Sequence, residues 1–258
     1  MKGKDTLSLE GHCILVTGVS RSLGIGIAIA KRLAGAGAQV AAHGFAEYDR
    51  EMGYVDAHTA SDCPDIEGVF WLPSSDLSAD GEAERTVERA KDVLGRLDGL
   101  ILNHAYSTHC EIGGWTAEHI DRHMAVNVRT SMLMIQKFAE TAQGGCITLM
   151  TSGQYQGPMT GEIAYALSKE AIRCLSSQAS SLLAPRGIRV NCVNPGPNDT
   201  GYLEGEAYDA VARCFPSGRW GTPNDAAKLI HFLHSEQASW ITRQTIASEG
   251  GFAGGGGR

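Results

Sequence analysis

No run of apolar residues in this 258-residue chain approaches the ~20 that a membrane-spanning helix needs. The opening stretch, MKGKDTLSLEGH, has no apolar segment of the kind a secretory signal uses, so a cytoplasmic protein is expected. Basic residues are in deficit. Against 29 Asp and Glu stand 22 Lys and Arg, a net charge of -7, and no basic run offsets it. A protein that binds nucleic acid by neutralising phosphates is therefore not expected. Cysteine is scarce and oddly numbered, seven in all, with no CxxC pair, which argues against both a disulfide framework and a zinc site. Cys13, Cys146 and Cys192 lie in the runs HCILV, GCITL and VNCVN and are expected as small core hydrophobes in a reducing compartment. Internal repeats are absent, and glycine concentrates only in the tail at 253–258, which is expected to be flexible.

What is present is an alternation of short apolar runs and longer helical patterns. Strands are predicted at Cys13–Thr17, Gln39–His43, Gly68–Leu72, Gly99–Asn103, Cys146–Ser152, Ile188–Asn194 and Gln244–Ala247. Helices are predicted at Ile25–Gly37, at Glu82–Gly95 with Ala83, Val87, Ala90 and Leu94 on one face, over 116–142 as one long helix, over 162–184, and at Asn224–His234. The stretch Phe45–Glu67, rich in Asp, His, Gly and Ser, is expected to be partly loop. Apolar strands alternating with helices imply a parallel sheet covered on both faces. The expected fold is α/β, a single doubly wound Rossmann domain over 1–258 with about seven parallel strands.

Between the first strand and first helix lies Thr17-Gly18-Val19-Ser20-Arg21-Ser22-Leu23-Gly24-Ile25-Gly26. Glycines there let the backbone approach a pyrophosphate, and a helix N-terminus offers it free N–H groups. At the other end of the chain, Ser152 stands thirteen residues before Tyr165, and Tyr165 four before Lys169. Tyr165 and Lys169 share a helix face. Ser152 ends a strand, where ligands gather in open α/β sheets. A tyrosine titrates at about 10. A fixed ammonium beside it favours phenolate, by about 1–3 units on the analogy of carboxylate pairs.

With the loop and this trio together, the sequence resembles the short-chain dehydrogenases/reductases, over nearly its whole length. Their loop reads TGxxxGxG. Without a gap, Ser22 would stand at the middle glycine. The family's last glycine precedes the first Val of its second strand by fourteen residues, and Gly37-Ala38-Gln39-Val40 places that glycine at Gly26. The loop is then two residues longer than usual, with Gly24 and Gly26 as second and third glycines. The resemblance is to 3-oxoacyl-acyl-carrier-protein reductase-like members with a lengthened loop, a form shared with the branch that contains the enoyl-acyl-carrier-protein reductases.

The resemblance implies a set of roles. Ser152, Tyr165, Lys169 and Asn127 correspond to the catalytic residues. Hydride addition to a carbonyl leaves an alkoxide that needs a proton and a donor. Tyr165 would supply the proton, Ser152 the hydrogen bond, and Asn127 would hold a water on the proton relay. Lys169 would tune the tyrosine and reach the ribose. The dinucleotide would lie on Gly18, Ser20, Arg21, Gly24, Ile25 and Gly26, with Asp76-Leu77 at its adenine end. Asn103 and Ala105 match the first and third residues of an NNAG strand end, from which His104 and Tyr106 depart. Pro195, Gly196, Asn198 and Thr200 match a PGxxxT turn facing the nicotinamide. Residues 241–246 with Glu249-Gly250-Gly251 resemble the ITGQ…DGG end, with Arg243 and Glu249 as substitutions.

NAD-preferring members carry an Asp at the end of the second strand. Here that place is Gly44, preceded by His43, and Arg21 is placed to pair with a 2′-phosphate. NADP(H) is the expected cofactor, with NAD(H) the alternative, because the long-loop branch also lacks that Asp. The expected reaction interconverts a ketone and a secondary alcohol. The substrate would be set by residues 200–220 (with Tyr202, Tyr208, Phe215 and Trp220), by Gly153–Glu162 and by Tyr106–Trp115. Two other readings stand beside it. An enoyl reductase would place its tyrosine seven residues before Lys169, where this chain has Glu162. A non-catalytic dinucleotide binder would have no use for the intact trio. His119 and His123 are four apart on a helix, but Ile120 follows His119 where HExxH needs an acid. They are expected as surface or capping residues, and no metal is expected. Met132, Met134, Leu175 and Leu182 extend the apolar surface of the two long helices beyond one face, as in a homotetramer or, failing that, a homodimer.

Overall fold

The computed structural model describes residues 7–59 and 61–252. Strand β1 (Cys13–Thr17) is buried at every position. Its neighbours are β2 (Gln39–His43) on one side and β4 (Gly99–Leu102) on the other, both parallel to it. With β3 (Val69–Trp71), β5 (Gly145–Met150), β6 (Ile188–Asn194) and β7 (Thr245–Ala247), they form one sheet ordered β3-β2-β1-β4-β5-β6-β7, parallel throughout. Strand order reverses between β1 and β4, which opens a crevice at their C-terminal ends.

The side-chain period of two sends alternate residues of each strand to opposite faces. Cys13 and Leu15 of β1 join one core with Val87 and Ala90 of α3 (Glu82–Leu94), Met134 and Phe138 of α5 (Thr130–Thr141), and Ile172 and Ala179 of α6 (Ile163–Leu183). Ile14 and Val16 join the other core with Ile27, Ile29 and Leu33 of α1 (Ile25–Gly35) and Ile230 and Leu233 of α8 (Pro223–His234). The strands are apolar on both sides because both faces are covered. Remaining helices are α2 (Ala46–Glu51), α4 (Ala117–His123) and α7 (Gly205–Ala212).

Several expectations need correction. The helix expected over 116–142 keeps one path but is not α-helical throughout. Met124–Arg129 forms a π turn between α4 and α5, which an apolar period near 3.6 does not reveal. Met134 is fully buried beneath the sheet and Leu175 packs against that core, so neither belongs to an outer face. Met132 and Leu182 are exposed. His123 is fully buried rather than superficial, its Nδ1 2.8 Å from the His119 carbonyl oxygen. The fifth strand stops at Met150 and leaves Ser152 beyond its end. Cys13, Cys146 and Cys192 are buried, and none of the seven cysteines forms a disulfide. Among the described residues no helix is long and apolar enough to cross a membrane, and no His, Cys, Asp and Glu group could hold a metal. The tail expected at 253–258 lies outside the described residues.

Candidate active site

The crevice is shaped by close backbone packing. Gly18 adopts φ +71°, and a Cβ there would lie 2.9 Å from Asn103 Nδ2 and the His104 backbone. A Cβ at Gly26 would come within 2.1 Å of the Gly18 carbonyl oxygen. Glycine at both places brings the N-terminus of α1 against the ends of β1 and β4. Asn103 Nδ2 locks that contact by donating to Thr17 O (3.1 Å) and Gly18 O (2.9 Å). No side chain caps α1, which leaves its first N–H groups to a ligand.

The resulting cavity is lined by Gly18, Ser20, Arg21, Gly24, Ile25, His43, Asp76, Leu77, Asn103, Ala105 and Thr200. These eleven come from the cofactor set expected from the sequence. Gly26, Tyr165, Lys169, Pro195, Gly196 and Asn198 do not line it. Gly26 is spent on packing. Asn198 donates to Pro195 O (2.9 Å) and Gly196 O (3.0 Å), so it holds its own turn in shape. His43 is buried with Nε2 3.0 Å from Ser75 Oγ, and burial lowers its pKa to about 4, so it is neutral. His104 bridges Thr17 Oγ1 (2.7 Å) and Thr130 Oγ1 (2.9 Å), and burial lowers it to about 3. It is a neutral strut between β1 and α5.

Gly44 has a physical reason to carry no acid. A Cβ there would lie 2.7 Å from the Ser20 backbone nitrogen. Acids arrive instead from the segment the sequence reading treated as partly loop. Asp49 of α2 lines the cavity and accepts a hydrogen bond from Ser20 Oγ. Asp56 pairs with Arg21 at 3.1 Å and accepts from the Leu23 N–H at 2.9 Å. Arg21 also donates to Thr200 O (2.6 Å) and lies 3.5 Å above the Tyr54 ring. Ser22 N–H donates to Asp56 O and His58 N–H to Ser20 O. The lengthened phosphate loop is thus strapped down by residues 54–58. Sequence reasoning missed Asp49, Tyr54 and Asp56 because the first lies on a six-residue helix and the others on a loop, too short or irregular for periodicity to mark what they meet.

Ser152 lies just past β5, and Tyr165 and Lys169 project from the first turns of α6. Ser152 is the polar neighbour of the Tyr165 phenol and favours its ionised form. Thr151 Oγ1 donates to Lys169 O at 2.9 Å, which pins the strand end to the helix. Lys169 Nζ is buried, 5.5 Å from the centre of the Tyr165 ring, and donates to Met150 O at 2.9 Å. Burial lowers its pKa to about 8. The expected lowering of Tyr165 is not found. Burial pushes the phenol up to about 12, Ser152 opposes this, and the charge of Glu162 adds to it. The ammonium is engaged with a carbonyl rather than the phenol, and desolvation prevails.

Asn127 sits in the π turn, fully buried. Its Nδ2 donates to Tyr106 O (2.9 Å) and Ser168 Oγ (2.8 Å), and its Oδ1 accepts from Tyr106 N (2.7 Å). The side chain therefore ties the segment after β4 to α6. Tyr155, the enoyl-type candidate, has its ring 5.4 Å from the Arg173 guanidinium and its hydroxyl 3.4 Å from Asn194 Nδ2.

Residues 18–253 match the family model described as enoyl-(acyl carrier protein) reductase. An uncharacterized oxidoreductase, YjdA of Bacillus subtilis, is 38% identical over 244 residues, 92% of this chain and 95% of that protein. The chain belongs to the short-chain dehydrogenases/reductases. A short-chain dehydrogenase/reductase from Serratia marcescens superposes with a TM-score of 0.80 at 32% identity, covering 94% of this chain and 99% of the other. A short-chain dehydrogenase from Burkholderia cenocepacia in complex with NADP gives 0.80 at 28% identity, over 94% and 98%. As a short-chain dehydrogenase/reductase the chain is an oxidoreductase that binds a nicotinamide dinucleotide and acts on a small molecule. The Gly18-to-Gly26 turn, with its uncapped helix end and its lining cavity, has the shape and the donors for the dinucleotide's phosphates.

Proposed function

We propose that this short-chain dehydrogenase/reductase interconverts ketones and secondary alcohols with NADP(H), using Tyr165 as general acid and base. The observation that carries this is a buried Lys169 whose ammonium lies 5.5 Å from the centre of the Tyr165 ring, with Ser152 beside that phenol, at the C-terminal edge of the sheet. Bound there, the nicotinamide supplies or accepts the hydride. Ser152 donates a hydrogen bond to the carbonyl oxygen and favours the charge that develops on it. Tyr165, protonated at neutral pH, gives that oxygen its proton. Lys169 holds positive charge beneath the phenol and would reach the ribose. Asn127 holds the Tyr106 segment against α6 and so fixes the mouth of the site. Gly18, Ser20, Gly24 and Ile25 would hold the phosphates, with Gly26 letting α1 pack close behind them, while His43, Asp76, Leu77, Asn103 and Ala105 would hold the adenosine. Pro195, Gly196, Asn198 and Thr200 would hold the nicotinamide.

NADP(H) is favoured by Gly44, where no acid fits, and by Arg21 on the phosphate loop. The Burkholderia relative's complex with NADP points the same way. One specific observation favours NAD(H) instead. Asp49 and Asp56 stand on Ser20 and Arg21, so two carboxylates face one guanidinium where a 2′-phosphate would bind. Titrating NADPH and NADH by fluorescence decides between them, and tighter NADH rejects the first. For the reaction, a panel of ketones is incubated with NADPH and then NADH, and the loss of reduced-nicotinamide absorbance is followed. Reduction of a trans-2-enoyl thioester with no ketone turned over would refute the ketone reading. The assembly we propose is a homotetramer, or failing that a homodimer, joined through exposed Met132, Leu167 and Leu182 on α5 and α6.

A further inference from the structure

Glu162 immediately precedes α6, three residues before Tyr165. At 1.5 Å per residue the two lie about 4.5 Å apart along the helix axis. Its carboxylate accepts a hydrogen bond from Ser107 Oγ at 3.3 Å. Ser107 is held in turn by Tyr48, whose hydroxyl accepts from Ser107 N–H (3.3 Å) and donates to Ser107 O (3.5 Å). The Tyr48 and Tyr106 rings are 5.6 Å apart. A wall made from α2, the segment after β4 and the start of α6 therefore presents hydroxyls and one carboxylate.

No cation among the described residues pairs with that carboxylate, which keeps its charge beside the N-terminus of α6. Among the described residues no Lys, Arg or His forms an ion pair with Glu162. Three of the described basic side chains border the wall and none of them pairs with Glu162: His109 packs against Gly161 with its Nε2 4.0 Å from Glu111. Arg122 lies 4.9 Å from the Tyr106 ring centre, and Lys169 donates to the Met150 carbonyl. The negative charge reaches two phenols. Tyr165 and half-exposed Tyr202 are both raised to about 12, by burial first and with a further push from Glu162.

Resting on the ketone reading above, we propose that Glu162 sets the substrate class: carbonyl compounds with a hydrogen-bond-donating group beside the reacting carbon, ammonium above hydroxyl, and not a carboxylate. A substrate whose oxygen sits at Ser152 and Tyr165 places its neighbouring substituent within reach of a side chain one helical turn away. An ammonium or hydroxyl there donates to the carboxylate, which has no cationic partner among the described residues, whereas a second carboxylate is repelled by it.

The test is a series sharing the CH3COCH2– unit, butanone, hydroxyacetone, aminoacetone and acetoacetate, which differ only in the group on one carbon, acetoacetate being two heavy atoms larger. Each is titrated calorimetrically into the protein loaded with oxidised dinucleotide, a complex in which the ketone cannot be reduced, at a mildly acidic pH that keeps the amine protonated. Aminoacetone should bind tightest, then hydroxyacetone, then butanone, with acetoacetate at least about tenfold weaker than aminoacetone. Glu162→Gln should shrink that ratio to within about threefold. Ser107→Ala, which leaves the charge in place, should preserve the order. Acetoacetate binding as well as aminoacetone, an unchanged ratio in Glu162→Gln, or no binding of any of the four would each overturn the assignment. The same series with reduced dinucleotide separates the two readings. An intact binding order without ketone reduction refutes the ketone reading alone, and reduction without the order refutes the role of Glu162 alone.

Discussion

Tyr165→Phe removes one hydroxyl and keeps the ring, so its consequences divide cleanly between stability and chemistry. Ser152 is the polar neighbour of that hydroxyl and can hydrogen-bond to it. Ser152 is itself partly open at the end of β5, and water can replace the phenol there. A net hydrogen bond of this kind contributes about 1 kcal/mol, which in a chain of this size lowers Tm by about 2–4 °C. The chemistry loses its proton donor. Positioned acid–base help gives about 10²–10⁴-fold, and Ser152 remains to donate to the substrate oxygen, so we place the loss of kcat at about 10³-fold, or ~4 kcal/mol in the barrier. Dinucleotide affinity should stay within about twofold. Lys169→Ala should differ, because it removes a cation and also strips Met150 O of its buried donor, lowering both turnover and dinucleotide affinity. The assays are steady-state kinetics on the best ketone, fluorescence titration of dinucleotide, and thermal unfolding. Near-full turnover in Tyr165→Phe together with its loss in Tyr155→Phe would refute the mechanism while leaving the fold intact.

Other expectations follow from particular contacts. Gly44→Asp should not create an NAD-type ribose site. Its Cβ would lie 2.7 Å from the Ser20 nitrogen, so stability should drop by about 1–3 kcal/mol and the affinities for both dinucleotides should fall, as calorimetry and titration would report. Reduction should decline as pH rises through about 8, where Lys169 loses its charge, and a flat kcat/KM profile to pH 10 would contradict this. Because the lysine is lowered from 10.5, the unfolded chain binds the extra proton across that window. This group's contribution to stability therefore grows from about pH 8 to 10.5 and is lost as pH falls back through 8. Glu82 behaves in the complementary way. Burial would raise its pKa, but hydrogen bonds from Arg89, Ser75 and Arg85 outweigh burial and bring it to about 2. Its stabilising contribution, about 2–3 kcal/mol, is present above pH 4.5 and disappears as pH falls towards 2, so Glu82→Gln should unfold with a shallower acid dependence than the parent. Light scattering should report a homotetramer or homodimer, and a monomer alone would count against the exposed faces of α5 and α6 as an interface.

Much of the fold was legible in local chemistry. A strand covered on both faces is predominantly apolar, which is why β1 and the centre of β2 could be read from their residues alone, while β6 was bounded at Ile188–Asn194 by its alternating Ile, Val, Cys and Val despite Arg189, Asn191 and Asn194. The glycine-rich turn and the spacing of Ser152, Tyr165 and Lys169 are likewise properties of short stretches of chain, set by helical and strand periods. What tertiary structure decided depends on partners distant in sequence. The π turn around Asn127 carries no periodic signature, and that residue's amide meets Tyr106 and Ser168 only across the packed helices. Met134 looks like an outward residue until α5 is laid on the sheet. Arg21 looks free until residues 54–58 fold over it and Asp56 takes its charge. The Tyr165 phenol rises rather than falls because desolvation depends on everything around the ring, and the lysine four residues away is drawn instead to the Met150 carbonyl. Spacing along a chain encodes which groups share a face. Burial and electrostatic balance arise only when the faces meet.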